Sequence, residues 1–213
     1  MSGIAELRDR LREDLLEYSE AAFRLLPKME RPEVLDIGCG AGGPTLKLAE
    51  LSGGEVTGID VDGPSLEAGR RRAQEHGLQG RVRFRRCSLD DLPFEDESFD
   101  LIWAEGCIQF IGFEKGLVYW RRFLRAAGFL VLHADEGDLS ARLALIRSAG
   151  YRPAAWFSLS EGVWRERYFR PLDEALGRTA GTEAAEETVT ARREVESFRK
   201  NPQGSAFFVV QRL

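Results

Sequence analysis

Val34–Thr45 reads VLDIGCGAGGPT, and this stretch decides the fold. An apolar run carrying one acid leads into four glycines and a proline, which predicts a buried strand, a tight turn and a departing helix. Gly38, Gly40 and Gly42 stand where a backbone must take positive φ or let a ligand come closer than a Cβ would allow. Gly38, Gly40 and Gly43 also satisfy the loose dinucleotide pattern GxGxxG, a weak signal by itself. Asp36, two residues before the first glycine, shifts the balance. A carboxylate aimed at that turn would repel a pyrophosphate and suit a cationic ligand.

Working outward, Gly54–Asp60 (GEVTGID) reads as a second buried strand ending in an acid. Asp60 lies about twenty residues beyond the turn, where a carboxylate can accept from both hydroxyls of a ribose. Val61 follows it, and Asp62 and Pro64 read as the cap and first turn of a helix that ends near Gly77. Val82 and Phe84 alternate with arginines in a third strand that runs into Ser88, Leu89 and Asp90. FDLIW (99–103) is a fourth strand, with Glu105, Gln109 and Phe110 at its carboxyl end, where open α/β sheets bind ligands. A helix is predicted over 113–125, stopped by Gly128, followed by a fifth strand over 129–132 that ends at His133. That histidine is a candidate base, because its pKa lies near neutrality.

VLDIGCGAGG resembles the first motif of class I S-adenosylmethionine-dependent methyltransferases. LPFEDESFDLIW, from Leu92, resembles a second motif of the branch that includes the ubiquinone/menaquinone-biosynthesis methyltransferases, and EGCIQFIGFEKG, from Glu105, is similar to an uncharacterised bacterial subgroup of it. The resemblance implies an α/β Rossmann-like fold: a seven-stranded, mainly parallel sheet with helices on both faces, its last strand antiparallel, plus an N-terminal helix. It implies S-adenosylmethionine as cofactor, framed by Asp36, Gly38, Cys39, Gly40 and Gly42 at the methionine end and by Asp60 and Val61 at the ribose. Ser88, Leu89 and Asp90 fall at the adenine, with Ser88 standing where relatives commonly carry an acid. Glu105 is the candidate for orienting the acceptor or facing the sulfonium. Tyr18, Gln109, Trp164 and Tyr168 are candidates for the acceptor pocket, with Phe169 assigned to the core.

Helical spacing from Ile4 to Leu25 predicts one amphipathic helix, and the resemblance implies that it serves as a lid within residues 1–28. A helix over 139–150 and a strand over 151–160 follow, then a helical insertion over 160–200 with Gly177 and Gly181 between two solvated runs. AFFVVQR (206–212) closes the sheet. With 213 residues, 43% of them hydrophobic, one domain spanning 1–213 is the expected count. The net charge of -5 argues against nucleic acid as a partner, since phosphate neutralisation supplies most sequence-independent affinity. Arginine runs at 70–72 and 81–86 read as solvated faces. Cys39, Cys87 and Cys107 have no metal-ligand spacing and fit a reducing compartment. No apolar run reaches membrane-spanning length. The expectation is a cytoplasmic monomer or homodimer with no metal, no membrane and a small-molecule acceptor. A non-catalytic S-adenosylmethionine-binding module and an NAD-linked oxidoreductase remain alternatives.

Overall fold

The computed structural model describes residues 3–178 and 186–213. Its centre is one seven-stranded sheet in the order β3-β2-β1-β4-β5-β7-β6. The strands are β1 Glu33–Ile37, β2 Glu55–Asp60, β3 Val82–Arg86, β4 Phe99–Glu105, β5 Leu124–Asp135, β6 Tyr151–Leu159 and β7 Ser205–Arg212. β1 pairs in parallel with β2 and β4, β2 with β3, and β4 with β5. β7 runs antiparallel to both β5 and β6, so the final strand is the reversed one, as expected. Strand order turns back between β1 and β4, which puts the ligand crevice at their carboxyl ends.

Alternation along each strand divides the core between two faces. Leu35, Ile102, Leu130 and Leu132 meet Leu117 and Trp120 of α5 (Phe113–Arg121) and Ile146 of α6 (Leu139–Ser148). Val34, Leu101, Trp103 and Val131 face Ala22 of α2 (Leu16–Phe23), Leu46 and Ala49 of α3 (Gly43–Ser52) and Ala73 of α4 (Gly63–Glu75). Full burial of residues the size of Trp103 or Trp120 contributes on the order of 2–3 kcal/mol each.

The N-terminal segment departs from the expected single helix. α1 covers Ile4–Glu13 and α2 begins at Leu16, because the segment serves two partners. Ile4, Leu11 and Leu15 pack on a third cluster with Leu172 and Leu176 of α8 (Arg170–Arg178) and Ala191 and Val195 of α9 (Glu186–Lys200). Ala22 instead faces the sheet, and a straight helix cannot reach both. The segment between β6 and β7, which carries α8 and α9, starts with α7 (Glu161–Trp164) and a π-helical turn, Arg165–Phe169. Among its described residues from 172 onward most are exposed, in keeping with two solvated runs, while a buried stripe of Leu172, Ala175, Leu176, Ala191 and Val195 packs on α1. Gly177 lies inside α8, and Gly181 lies outside the described residues.

Two further boundaries move. α5 ends at Arg121, and β5 already starts at Leu124. Gly128 is therefore a position inside the strand, at a register irregularity, where a Cβ would meet the carbonyl oxygens of Arg125 and Asp100 at 2.9 and 3.0 Å. The arginine runs are partly built into the fold, with Arg81 Nη1 donating to Ala49 O at 2.6 Å and Arg70 Nη2 to Phe84 O at 3.0 Å. Asp62 does cap α4, accepting from the Ser65 amide at 3.1 Å.

Candidate functional site

The carboxyl ends of β1, β2, β3, β4 and β5 bring Gly38, Asp60, Ser88, Glu105 and His133 to one edge of the sheet. The glycine turn there faces inward. The amides of Gly38 and Cys39 both donate to Ile59 O, at 2.8 and 2.9 Å, and the Gly42 amide donates to Cys39 O at 2.9 Å. Gly40 N donates to Asp60 Oδ2 at 2.9 Å. A phosphate-binding turn offers its N–H groups to the ligand; in this turn four of them are already engaged by protein oxygens, one a carboxylate. Gly38 has φ +71°, and a Cβ on it would lie 2.6 Å from Cys107 Cβ. The segment after β4 thus rests directly on the turn. Gly40, at φ +52°, has open space where its Cβ would stand.

Asp36 corrects the expectation that its carboxylate faces the ligand. Alternation on β1 turns it to the same face as Val34, under α3, where it is 1% exposed and accepts from Thr45 Oγ1 at 2.6 Å. Burial pushes its pKa up to about 8, aided by the nearby charges of Glu105 and Asp60 and opposed by the Thr45 hydrogen bond. Asp60 does reach the edge. Its Oδ1 accepts from the Asp62 amide at 3.0 Å, and a carboxylate with one amide on each oxygen keeps acceptor capacity for two hydroxyls. Cys39 and Cys107 are buried free thiols, pushed well above the ordinary thiol range by burial and by the surrounding carboxylates.

Beyond β3, Trp120 Nε1 donates to Leu89 O at 2.9 Å and the Tyr119 hydroxyl accepts from the Leu92 amide at 2.9 Å, so α5 fixes this loop. The sequence reading missed both anchors. Ser88 donates to Asp90, which holds the exposed Asp90 carboxyl below its usual range. Val61 is 58% exposed, an uncovered apolar side chain beside Asp60. Glu105 accepts from Trp103 Nε1 at 2.6 Å and from the Ser19 hydroxyl of α2; burial nevertheless raises its pKa. The first donor belongs to β4 itself and the second ties Glu105 to α2.

A cavity of about 450 Å³ opens beyond the carboxyl ends of β4 and β5, reached from the turn through Gly106 and Cys107. Gly106 joins the two regions: its amide donates to His133 O at 3.0 Å, and it lines the cavity with Ile108, Gln109, Phe113, His133 and Trp164. Of the four residues expected in an acceptor pocket, Gln109 and Trp164 line it, whereas Tyr18 and Tyr168 do not. Tyr168 is buried, donating to Glu194 Oε2 at 3.1 Å. Tyr18 packs between core clusters under the Arg167 guanidinium. Glu105 is not among the lining residues, while Phe169, assigned to the core, is. The far wall comes from α9 and the start of β7, including Glu194, Phe198, Asn201 and Ser205. A larger cavity of about 600 Å³ lies at the opposite end of the sheet, lined by Arg121, Arg122 and Arg212, away from the turn. Among the described residues, no group of His, Cys, Asp and Glu could hold a metal ion, and no helix is long and apolar enough to cross a membrane.

Residues 34–128 match the family model described as "Methyltransferase domain". Methyltransferase GfsG of Streptomyces halstedii is 35% identical over 61% of this chain, which spans 44% of the length of that protein. O-methyltransferase cnsE of Penicillium expansum is 32% identical over 91% of this chain and 76% of its own. Among solved structures, the cyclase SpnF superposes with a TM-score of 0.78 at 21% identity, covering 92% of this chain and 80% of that one, a likeness of fold alone. The cnsE match covers most of both chains, and the chain belongs to the class I S-adenosylmethionine-dependent methyltransferase family.

Proposed function

We propose that this protein moves a methyl group from S-adenosylmethionine to a small-molecule acceptor by direct in-line displacement. The observation that carries the reading is the set of inward amides at Gly38, Cys39, Gly40 and Gly42. A pyrophosphate would meet the Asp60 carboxylate in place of free N–H groups, whereas a cationic, phosphate-free nucleoside suits that rim. The clearance over Gly40 fits the methionine end of the cofactor, with Gly38 and Cys39 shaping the turn and Asp36 and Gly42 supporting it from below. Asp60 receives the ribose hydroxyls. Val61 and Leu89 cover the adenine, and Ser88 and Asp90 supply its polar edge. Glu105 contributes negative charge near the methionine end.

When bound, S-adenosylmethionine supplies a methyl group on a sulfonium that is already a good leaving group. The chain's own residues have little covalent work to do. Their task is alignment, for which about 7–11 kcal/mol is available in well-oriented systems. The cavity next to Gly106 holds the acceptor, and α1 and α2 form the lid. The open cavity supports catalysis over a non-catalytic binding module, whose mark is a blocked acceptor mouth. The reading also includes one domain over 1–213, with a lid within 1–28 and an insertion over 160–200, a monomeric or homodimeric state and a cytoplasmic location.

A melting series with S-adenosylmethionine, S-adenosylhomocysteine and NAD tests the cofactor, because a ligand bound only by the native state raises stability with the logarithm of its concentration over Kd. Stabilisation by the first two is expected. Stabilisation by NAD alone overturns the assignment. Labelled methyl transfer to a metabolite extract then tests catalysis, and absence of any labelled product returns the binding module.

A further inference from the structure

His133 is the titratable ring in the acceptor cavity, and its surroundings leave one edge free. One face stacks on Phe207 with 4.3 Å between centroids and the other faces Trp164 at 5.7 Å, both at 20°. Nε2 lies 2.8 Å from Ser205 Oγ, and Trp164 Nε1 donates to that same oxygen at 2.8 Å. The Ser205 hydroxyl is buried and carries one hydrogen. If Nε2 were protonated, that oxygen would accept twice and its own hydrogen would lose Nε2, with no other protein acceptor among the described residues, at a cost of up to about 1–3 kcal/mol. The chain that satisfies every group runs from the Trp164 N–H to Ser205 Oγ, and from the Ser205 hydroxyl to Nε2. The ring hydrogen then sits on Nδ1. Among the described residues, Arg8 Nε is the one side-chain polar atom sealed away without a partner; Nδ1, also unpartnered, therefore opens on the cavity that His133 lines.

The charged groups around this cavity are already paired. Arg142 binds Asp135 and lies 4.1 Å over the Phe113 ring. Glu194 receives Arg8 at 2.5 Å and the Tyr168 hydroxyl. On the neighbouring strand, Glu105 is held by Trp103 and Ser19. An anionic ligand would have to draw Arg142 away from Asp135, and a cationic one would find Asp135 and Glu194 already neutralised by Arg142 and Arg8. Much of the remaining wall is apolar: Ile108, Phe113, Trp164, Phe169 and Phe198.

We propose that the acceptor is an uncharged, largely apolar molecule bearing a carbonyl or ether oxygen, and that Nδ1–H of His133 donates a hydrogen bond to that oxygen. This rests on the methyl-transfer reading for the word acceptor, while the recognition itself does not need the cofactor. Burial lowers the His133 pKa to about 4, which keeps the ring neutral at pH 7 and makes it a donor that orients the acceptor. The expectation of a histidine base is replaced by that of a specificity-determining contact.

The test uses the full chain without cofactor. Nitrogen NMR at pH 7, with exposed His76 as the internal reference, should find the hydrogen of the His133 ring on Nδ1; finding it on Nε2 overturns the proposal. As probes, 2-acetonaphthone should bind roughly 3–10-fold more tightly than 2-ethylnaphthalene, the yield of one neutral hydrogen bond, and should move the Nδ1–H resonance. His133→Phe keeps a stacking ring and should erase the preference. Ser205→Ala frees the ring to exchange tautomers and should weaken the preference with the stack intact. Equal affinity of the two probes for the wild type, binding of neither, or a preference that survives both substitutions overturns it. These outcomes are separate from the cofactor melting series, so either reading can fail alone.

Discussion

Thr45 Oγ1 donates to Asp36 Oδ2 across 2.6 Å, with both residues out of contact with solvent. This bond ties the end of β1 to the first turn of α3, and so clamps the glycine turn from beneath. It is one hydrogen bond for a carboxyl that needs several to be comfortable as an anion in a low-dielectric site. The acid is in consequence held in its neutral form up to about pH 8.

Stability should therefore fall as pH rises through neutrality. The native state keeps the Asp36 proton between the ordinary 3.8 and about 8, while the unfolded chain has lost it, so the native state binds more protons and the slope is negative. One group contributes at most about 1.4 kcal/mol per pH unit. Urea midpoints of wild type and Asp36→Asn from pH 5 to 8 should diverge in favour of the variant as pH increases. Parallel curves would mean that Asp36 is already ionised.

The two glycines at the centre of the turn should separate folding from binding. Gly38→Ala drives a Cβ to 2.6 Å from Cys107 Cβ at φ +71°, and should cost roughly 3 kcal/mol from overpacking and left-handed strain together. Gly40→Ala meets only open space and should cost about 1 kcal/mol, yet under the proposed placement of the cofactor its methyl group occupies the ligand side. Stabilisation by S-adenosylmethionine should vanish in Gly40→Ala while its own melting point stays near wild type.

The crevice was legible in the sequence because its determinants are local. Glycines at a strand end, Asp60 at the next strand end and the Asp62 cap each act within a few residues. Asp36 was misplaced by weighing its charge above its register, since alternation with Leu35 and Ile37 already turns it under α3. The cavity was harder to read. His133, Gln109 and Trp164 announce themselves by type, but Phe198, Asn201 and Ser205 reach the same space from a helix end and a strand start more than sixty residues after His133. Only the antiparallel return of β7 along β5, pairing Phe207 with His133, brings that wall into place. Tyr168 and Phe169 exchanged roles because the π turn at Arg165–Phe169 shifts the helix face from its ordinary period.

Phe84 should behave as the wedge between the turn and α4. Its ring lies where Cβ atoms on Gly42 and Gly69 would stand, 2.7 and 2.8 Å from the nearest ring atoms, and a Cβ on Gly58 would come within 3.1 Å of it. Phe84→Ala should destabilise by about 2–3 kcal/mol, less than for a fully buried ring because Phe84 is half-buried. Gly69→Ala alone should also be costly, but in a Phe84→Leu background, where the outer ring atoms are gone, its cost should drop by at least about 1 kcal/mol. Strict additivity in that double-mutant cycle would remove the wedge.

His133 should impose the opposite pH dependence to Asp36 over part of the range. Burial lowers its pKa from 6.5 to about 4. Between those values the unfolded chain holds a proton that the native ring refuses, so stability rises with pH there and is lost as pH falls toward 4. With Asp36 falling over about 4 to 8, the two slopes nearly cancel below pH 6.5, and of these two groups Asp36 alone contributes above it. His133→Gln should expose the negative slope across the lower window too. Its absolute stability will also be lower, since stacking on Phe207 and Trp164 is lost, so the slope of the urea midpoint from pH 4.5 to 6.5 is the quantity to read. Other carboxylates contribute equally to both proteins and cancel in the difference. An unchanged slope would show a ring that titrates at its ordinary value, and with it a cavity far wetter than the packing of His133 implies.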